Sequence, residues 1–376
     1  MTSGDPLATK HVGVHPDTIQ TTEVYMITND KGEKEPQLKT EVSSKVCDLR
    51  YGTNPSQTAA LYGDDTFLGT LRELKTGKQG PSQTNMEDIV YAALTVGYFD
   101  EPCAIIMKHE NPSGFARQYE NERLSLIYRK AVDADFRAAF GGTVLINRPI
   151  DLETAEAISE LFTEVLVAPG YDEGVVDRLS KGSIRIFKFD EEKYRAIPRF
   201  EGDSGSTEIK TLPDGTKIRA DALLTPIRLV EDLNQYIVSD RKPDERELKD
   251  LLTGYRIPLR SNSIRLVKNG YTTGLGTGQQ DRVMCIGTAA HKNRELAELA
   301  KKDSRERVAD YSIPGSCLIS DGFFPYTDSI ELANELGITA VLAPHGGQRF
   351  QEVLNKANDF GIAFVDLPGE LRFFRH

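Results

Sequence analysis

From Leu49 onward, short apolar runs alternate with stretches whose apolar residues recur at helical spacing. No other feature constrains the fold as strongly. The segment 86–99 places Ile89, Val90, Ala93 and Leu94 on one face and leads into the apolar run 104–107. A striped helix followed by a β run is the unit from which sheets covered by helices are built. Helical patterns return over 117–134 and 151–162, the second with Asp151 in the capping position. Val165–Ala168 is apolar on both faces and reads as a buried strand, and 183–189 alternates as another. The second half repeats the style, with helical patterns over 244–252, 289–302, 329–336 and 349–360. Strand-like runs Cys317–Ser320, 339–342 and 362–365 lie between or after them, and Asn269-Gly270 is a hairpin signal. The expectation is an α/β fold around a largely buried sheet, built twice.

Length agrees, since 376 residues fit two compact units better than one. Residues 1–22 are polar and broken by Gly and Pro, and predict a loosely held leader. Residues 23–28 and 37–42 read as two short strands around a turn. The Gly-, Ser- and Pro-rich stretch 199–217 predicts a linker or excursion. An N-terminal extension, 1–46, then precedes two subdomains, 47–220 and 221–376.

Charge narrows the partners. Lys and Arg number 46 against 57 Asp and Glu, a net charge of -11. Nucleic-acid binding ordinarily shows a basic excess or stripe, so it is not expected. A few local cations can still hold an anionic small molecule. No apolar run approaches the roughly 20 residues that span a bilayer, and the N-terminus lacks a secretory core. Cys47, Cys103, Cys285 and Cys317 are far apart with no CxxC pair, which predicts reduced thiols, no structural zinc and a cytoplasmic location.

Four motifs carry candidate chemistry. Lys108-His109 follows the apolar run, and Asn111-Pro112-Ser113-Gly114 is expected to turn the chain before the next helix. Lys beside His offers a cation and a base that titrates near neutral pH, although a charged strand end would look the same. Ser261-Asn262-Ser263 precedes Gly274-Leu275-Gly276-Thr277-Gly278, a run without GxGxxG or GK[ST] that suits a tight corner or a ligand loop equally. Ser320-Asp321-Gly322-Phe323-Phe324-Pro325-Tyr326 offers a stacking wall, with core packing a fair alternative for one aromatic. The terminal Leu371-Arg372-Phe373-Phe374-Arg375-His376 suggests a docked end rather than a frayed one.

Taken in order, LRYGTNPSQTAALYG (49–63), KHENPSGFA (108–116), FGGTVLIN (140–147), EVLVAPGY (164–171), SNSI with GLGTGQQDRV (261–283), SDGFFPYTDSI (320–330) and LRFFRH (371–376) resemble one family. It is the AICAR transformylase, the formyl-transfer half of the bifunctional purine-biosynthesis enzyme that also carries IMP cyclohydrolase. The resemblance implies formyl transfer from 10-formyltetrahydrofolate to the 5-amine of AICAR, two cytidine-deaminase-like α/β/α subdomains, and a homodimer with shared sites. By resemblance His109 takes the proton of the attacking amine, Lys108 stabilises the oxyanion or helps the folate nitrogen leave, and Asn262 orients the formyl group. His376 matches a terminal His near this pair. Arg50, Tyr51, Gly141, Glu164, Arg282, Phe323 and Arg372 match nucleotide positions, and Phe140, Val283, Pro325 and Asp328 match folate positions. Ser261, Ser263 and Asp321 lie where the family can hold a structural monovalent cation such as K+. Arg50, Lys108, Arg282 and Arg372 should then build one positive cleft in an acidic surface.

The sequence also departs from the family. Ser56 stands where the family has His, and Glu110 and Ser113 replace the common residues after the Lys-His pair. Asp281 replaces a frequent Ser. An inward-pointing Glu110 would raise the pKa of His109. With 48 residues ahead of Leu49, transformylase activity without cyclohydrolase is expected. The rival readings are a formylase that uses formate and ATP, and a catalytically silent AICAR- or folate-binding sensor.

Overall fold

A computed structural model of the chain describes residues 15–29, 32–77, 79–180, 182–204, 207–305 and 307–374. Strands β1 (Thr18–Thr28), β2 (Lys34–Leu49) and β3 (Ala59–Tyr62) form a small antiparallel sheet, and both strands expected at its start run longer than their apolar residues suggested. Strand β4 (Arg72–Lys75) leads into the main body. There α1 (Gln83–Val96) precedes β5 (Cys103–Lys108), β6 (Asn111–Arg117), α2 (Leu124–Asp133) and the single turn α3 (Phe136–Ala139). Strand β7 (Thr143–Ile146), α4 (Leu152–Ser159), β8 (Val165–Ala168), α5 (Val175–Leu179), β9 (Arg185–Lys188) and the short α6 (Glu191–Arg195) complete the first half. The stretch expected as a linker holds the first strand of an exposed hairpin, β10 (Thr207–Thr211), whose second strand, β11 (Lys217–Asp221), runs past its end.

The second half runs α7 (Glu245–Tyr255), β12 (Ile264–Lys268), β13 (Tyr271–Gly276), α8 (Arg282–Ala300) and β14 (Cys317–Ser320). It ends with α9 (Asp328–Glu335), β15 (Ala340–Pro344), α10 (Phe350–Asp359) and β16 (Ala363–Leu367). The halves repeat one topology. In each, a helix leads into a hairpin, the hairpin's first strand pairs antiparallel with a third strand, and two further strands follow in parallel. The repeats do not form separate sheets. Strands β6 and β13 join them antiparallel into one eleven-stranded sheet, ordered β16-β15-β14-β12-β13-β6-β5-β7-β8-β9-β4.

Period-2 alternation explains why the sheet is covered on both faces. Cys103, Ile105 and Met107 face α1, in a core continuous with Leu251 and Leu252 of α7. Ala104 and Ile106 face Ile127, Tyr128 and Ala131 of α2 on the other side, and Ile264 and Leu266 face Ile286 and Ala289 of α8. Helix starts follow their caps. Ser82 and Asn85 form a capping box on α1, Asp244 and Glu247 form one on α7, and Asp281 accepts the Met284 N–H at the start of α8. The four cysteines are free thiols, and no described helix is long and apolar enough to cross a membrane.

One expectation fails here. Asn111-Pro112-Ser113-Gly114 is not a turn but the start of β6, and the helix read over 117–134 begins only at Leu124. The register shifts between Ile106 and Met107, opposite Pro112–Gly114, so the missing Pro112 N–H falls at a bulge. The reversal itself is made by His109 and Glu110.

Candidate functional site

Sheet register decides where the candidate residues meet. Lys108 ends β5, opposite the start of β7, because Met107 pairs with Thr143. Strands β6 and β13 are antiparallel, so the start of β6 lies beside the end of β13 at Gly276. Gly276 pairs with Ile264, the first residue of β12, and Ile264 pairs with Ser320, the last of β14. Lys108, His109, Gly141, Glu164, the 261–263 loop, Arg282 and Asp321 therefore lie along one rim of the sheet, at the same end of its interior strands, although they lie far apart in the chain. A direct contact closes the middle of this rim. Arg260 Nη2 donates to Glu110 Oε2 at 2.6 Å, tying the Lys-His turn to the Asn262 loop.

His109 and Glu110 both take left-handed backbone, with φ of 54° and 61°. Positive φ at both central residues suits the twist of a two-residue hairpin, but for residues with a Cβ it costs roughly 1–2 kcal/mol each. Asp88 on α1 offsets that cost. It is only 4% exposed and accepts the Glu110 N–H at 2.6 Å, with the His109 N–H close enough to draw its pKa down as well. Burial pushes its carboxyl up to about 6 although both N–H groups pull it down, and the Glu110 and Glu87 carboxylates push the same way as burial. The His109 side chain is exposed, and Lys108 Nζ donates to the Phe140 carbonyl at 2.8 Å. Lys108, His109, Asn111, Ser113, Asp135 and Asn293 are among the residues lining a cavity of about 210 Å³.

Beside this turn lies the first cluster. Arg50 donates to the Tyr51 hydroxyl at 2.6 Å, stacks its guanidinium 4.5 Å from the Tyr51 ring centre and approaches Glu164 at 3.9 Å. Backbone bonds from Arg50 N–H to Pro81 and from Gln83 N–H to Tyr51 fix the pair to the start of α1. Gly141 N–H donates to the Phe162 carbonyl at 2.7 Å, and the exposed Phe140 ring packs on Phe162 at 5.3 Å.

The second cluster gathers around Phe323. The guanidiniums of Arg282 and Arg372 lie 5.9 and 5.8 Å from its ring centre, and burial, with a smaller push from Arg372 and against the pull of Asp321, holds Arg282 below the usual arginine range. Asp321 sits 3.8 Å from Arg282 and accepts from the Ser261 hydroxyl. Its Oδ1 and the buried Ser263 Oγ have no hydrogen-bond partner. Phe324 packs in the core while Tyr326 is exposed, so the aromatic wall divides between the two readings given for it. Val283 is half-buried on α8, and Pro325 and Asp328 are exposed before and at the start of α9. Phe373, near the end of the described residues, is packed on Tyr98 and Tyr255, while Arg375 and His376 of the motif expected to dock lie outside the described residues.

Among the described residues, the four cations expected to build one positive cleft do not share the cavity at Lys108. The cavity at Lys108 has none of Arg50, Arg282 or Arg372 in its lining, and Arg282 and Arg372 gather instead on Phe323. Glu110 is engaged by Arg260 rather than left to act on His109 alone. Asp281 spends one carboxylate oxygen on its helix cap, Ser113 is buried at the bulge and Ser56 is exposed. Sequence reasoning passed over Asp88, Arg185 and Arg260. Arg185, 3% exposed, pairs with Glu164 at 3.1 Å. The signal for Asp88 and Arg185 was an ion on the apolar face of a helix or in a buried strand, where charge needs a reason to be.

The fold and the register define a duplicated α/β protein with a polar cavity of about 210 Å³ where the strand ends of its two repeats meet. Residues 18–292 match the AICARFT/IMPCHase bienzyme family, and the chain belongs to it. The bifunctional purine biosynthesis protein PurH of Persephonella marina is 33% identical over 364 residues, 94% of this chain and 64% of that protein. PurH of Chlorobium luteolum is 37% identical over 338 residues, 88% of this chain and 59% of that protein. The chain thus spans about three fifths of the length of these relatives. Among solved structures, a putative formate dehydrogenase accessory protein from Desulfotalea psychrophila covers 57% of the chain at 7% identity and a TM-score of 0.19, too slight a likeness to bear on the fold.

Proposed function

We propose that this chain transfers the formyl group of 10-formyltetrahydrofolate to the 5-amine of AICAR, giving FAICAR and tetrahydrofolate in purine biosynthesis. The observation that carries the proposal is the Lys108-His109 turn, clamped from below by Asp88 and tied through Glu110 to Arg260 beside Asn262. An aromatic amine is a weak nucleophile until its proton has an acceptor, and His109 supplies one. The tetrahedral intermediate carries charge on oxygen, which Lys108 neutralises before the proton returns to the leaving folate nitrogen. Asn262 orients the formyl oxygen and the substrate carboxamide. Arg50 with Tyr51, and Arg282 with Arg372 around Phe323, supply the cations and ring faces that a phosphorylated heterocycle and a polycarboxylated folate require. Phe140, Val283, Pro325 and Asp328 are the proposed folate contacts.

Two further parts belong to this reading. Each repeat is a cytidine-deaminase-like α/β/α unit, 47–220 and 221–376, and two chains join so that clusters separated in one subunit complete sites together. Ser261, Ser263 and Asp321 suit a hard monovalent cation such as K+, since the Ser263 Oγ and Asp321 Oδ1 oxygens are buried with no hydrogen-bond partner. The test is purified chain with AICAR and 10-formyltetrahydrofolate, following release of tetrahydrofolate. Activity that vanishes in His109→Ala while AICAR still binds is the expected result. Turnover only with formate and ATP, or none with either donor, overturns it.

A further inference from the structure

We propose that Asp88 is a positioning residue, which sets the direction of the His109 imidazole by holding the backbone of the His109-Glu110 turn through the Glu110 N–H. The proposal rests on the formyl-transfer reading for its kinetic consequence, not for its geometry.

The two repeats supply the argument. Lys108 aligns with Lys268, His109 with Asn269, Glu110 with Gly270 and Gly114 with Gly274, with a register shift at the same place in each hairpin. Asp250 on α7 stands where Asp88 stands on α1. Its Oδ2 accepts the Asn269 N–H at 2.9 Å and its Oδ1 the Gly270 N–H at 2.8 Å. One device, a buried aspartate on the preceding helix that accepts from the turn, thus occurs twice, through both N–H groups in the second repeat and through the Glu110 N–H in the first. In the second repeat it holds Asn-Gly, residues that enter left-handed backbone readily. In the first it holds His-Glu, which do not. The side chain of a residue leaves its backbone in a direction set by φ and ψ, so a turn that relaxed from positive φ would carry the imidazole away from the rim it shares with Asn262. Helix α1 is anchored by its capping box and its buried face, so it gives Asp88 a fixed place from which to oppose that relaxation.

The test compares Asp88→Asn with Asp250→Asn in the full chain. The amide keeps one acceptor and sets its own N–H groups against the turn. Asp88→Asn is expected to lower kcat for AICAR formylation about 10- to 100-fold with KM for AICAR changed less than about twofold, the pattern of a misplaced catalytic group. Asp250→Asn should leave kcat within about twofold. The His109 ring resonances, identified by their absence in His109→Ala, should move in Asp88→Asn and stay in Asp250→Asn. Unchanged kcat and unmoved resonances in Asp88→Asn, or an equal loss in Asp250→Asn, overturn the proposal. If Asp88→Asn does not fold, Asp88→Glu keeps the charge and displaces the acceptors, and full kcat there overturns it too. A wild-type chain that does not formylate AICAR defeats the functional reading instead, and the resonances alone then decide the clamp.

Discussion

The turns His109-Glu110 and Asn269-Gly270 occupy equivalent places in the two repeats and face the same demand, two successive residues at positive φ. In the second repeat local sequence preference and tertiary structure agree, since Asn-Gly is the dipeptide this hairpin favours. In the first they conflict, and a buried carboxylate settles the matter. Local and global signals ordinarily concur in natural sequences, and conflict concentrates at functional sites. The repeat without conflict acts as an internal control for the one with it.

The largest difference expected between the turns is in activity. His109→Ala should lower kcat for AICAR formylation roughly 10²- to 10³-fold, whereas Asn269→Ala should leave it within about twofold. Tetrahydrofolate release measures both. Similar losses would mean that the repeats share the chemistry, and the asymmetry argued above would be lost.

Beneath the turns, the repeats differ in how closely a helix approaches the hairpin. A Cβ at Gly114 would meet the Ala131 carbonyl oxygen at 1.9 Å, while at Gly274 it would meet that of Ala289 at 3.0 Å. Gly114→Ala is therefore expected to destabilise the chain by about 3 kcal/mol and Gly274→Ala by about 1 kcal/mol. Urea midpoints of the two variants give the order directly, and equal costs would show that α2 shifts as readily as α8.

The clamps also differ electrically. Arg246 lies 3.2 Å from Asp250 and, with Arg117, opposes the upward push of burial on its carboxyl. Asp88 faces the Glu87 and Glu110 carboxylates, and only the turn N–H groups oppose its upward shift. Its carboxyl lies at about 6 in the fold against an ordinary 3.8, so the folded chain holds that proton more tightly than the unfolded one. Its contribution to stability is therefore fully present below about pH 4 and falls as pH rises to about 6. The loss is on the order of 2–3 kcal/mol. Wild type should lose that much relative to Asp88→Asn over this interval, in unfolding curves taken at successive pH values. Parallel curves would contradict the assignment.

These contrasts explain what was legible in the sequence. Element order and the doubled pattern were readable, because short apolar runs such as Val165–Ala168 and striped helices such as Leu152–Ser159 leave a local mark in composition and period. Lys108, His109 and Asn262 were readable as motifs. The joining of the repeats into one sheet was not, because the β6–β13 pairing is a contact between distant segments that leaves no local mark. The position of the reversal was misread for a related reason. Pro112-Ser113-Gly114 carries stronger turn chemistry than His109-Glu110, and only the bulge and the Asp88 clamp reverse that preference. Asp88 was overlooked because an isolated acid within a helix ordinarily faces water.

The smallest effect isolates the backbone term. Glu110→Gly removes a Cβ from left-handed backbone, worth roughly 1 kcal/mol or more, and also removes the partly exposed pair with Arg260, worth at most about 1 kcal/mol. The net expectation is a stabilisation of about 0.5 kcal/mol. Gly270→Ala makes the reverse change at a φ of +78°, with its new Cβ 3.2 Å from Arg117, and should destabilise by about 1–2 kcal/mol. Thermal midpoints moving in opposite directions would establish that the first turn is held against its own preference while the second is not. If both fall together, Glu110 is at ease in its conformation, and Asp88 serves that turn only as one hydrogen-bond acceptor among many.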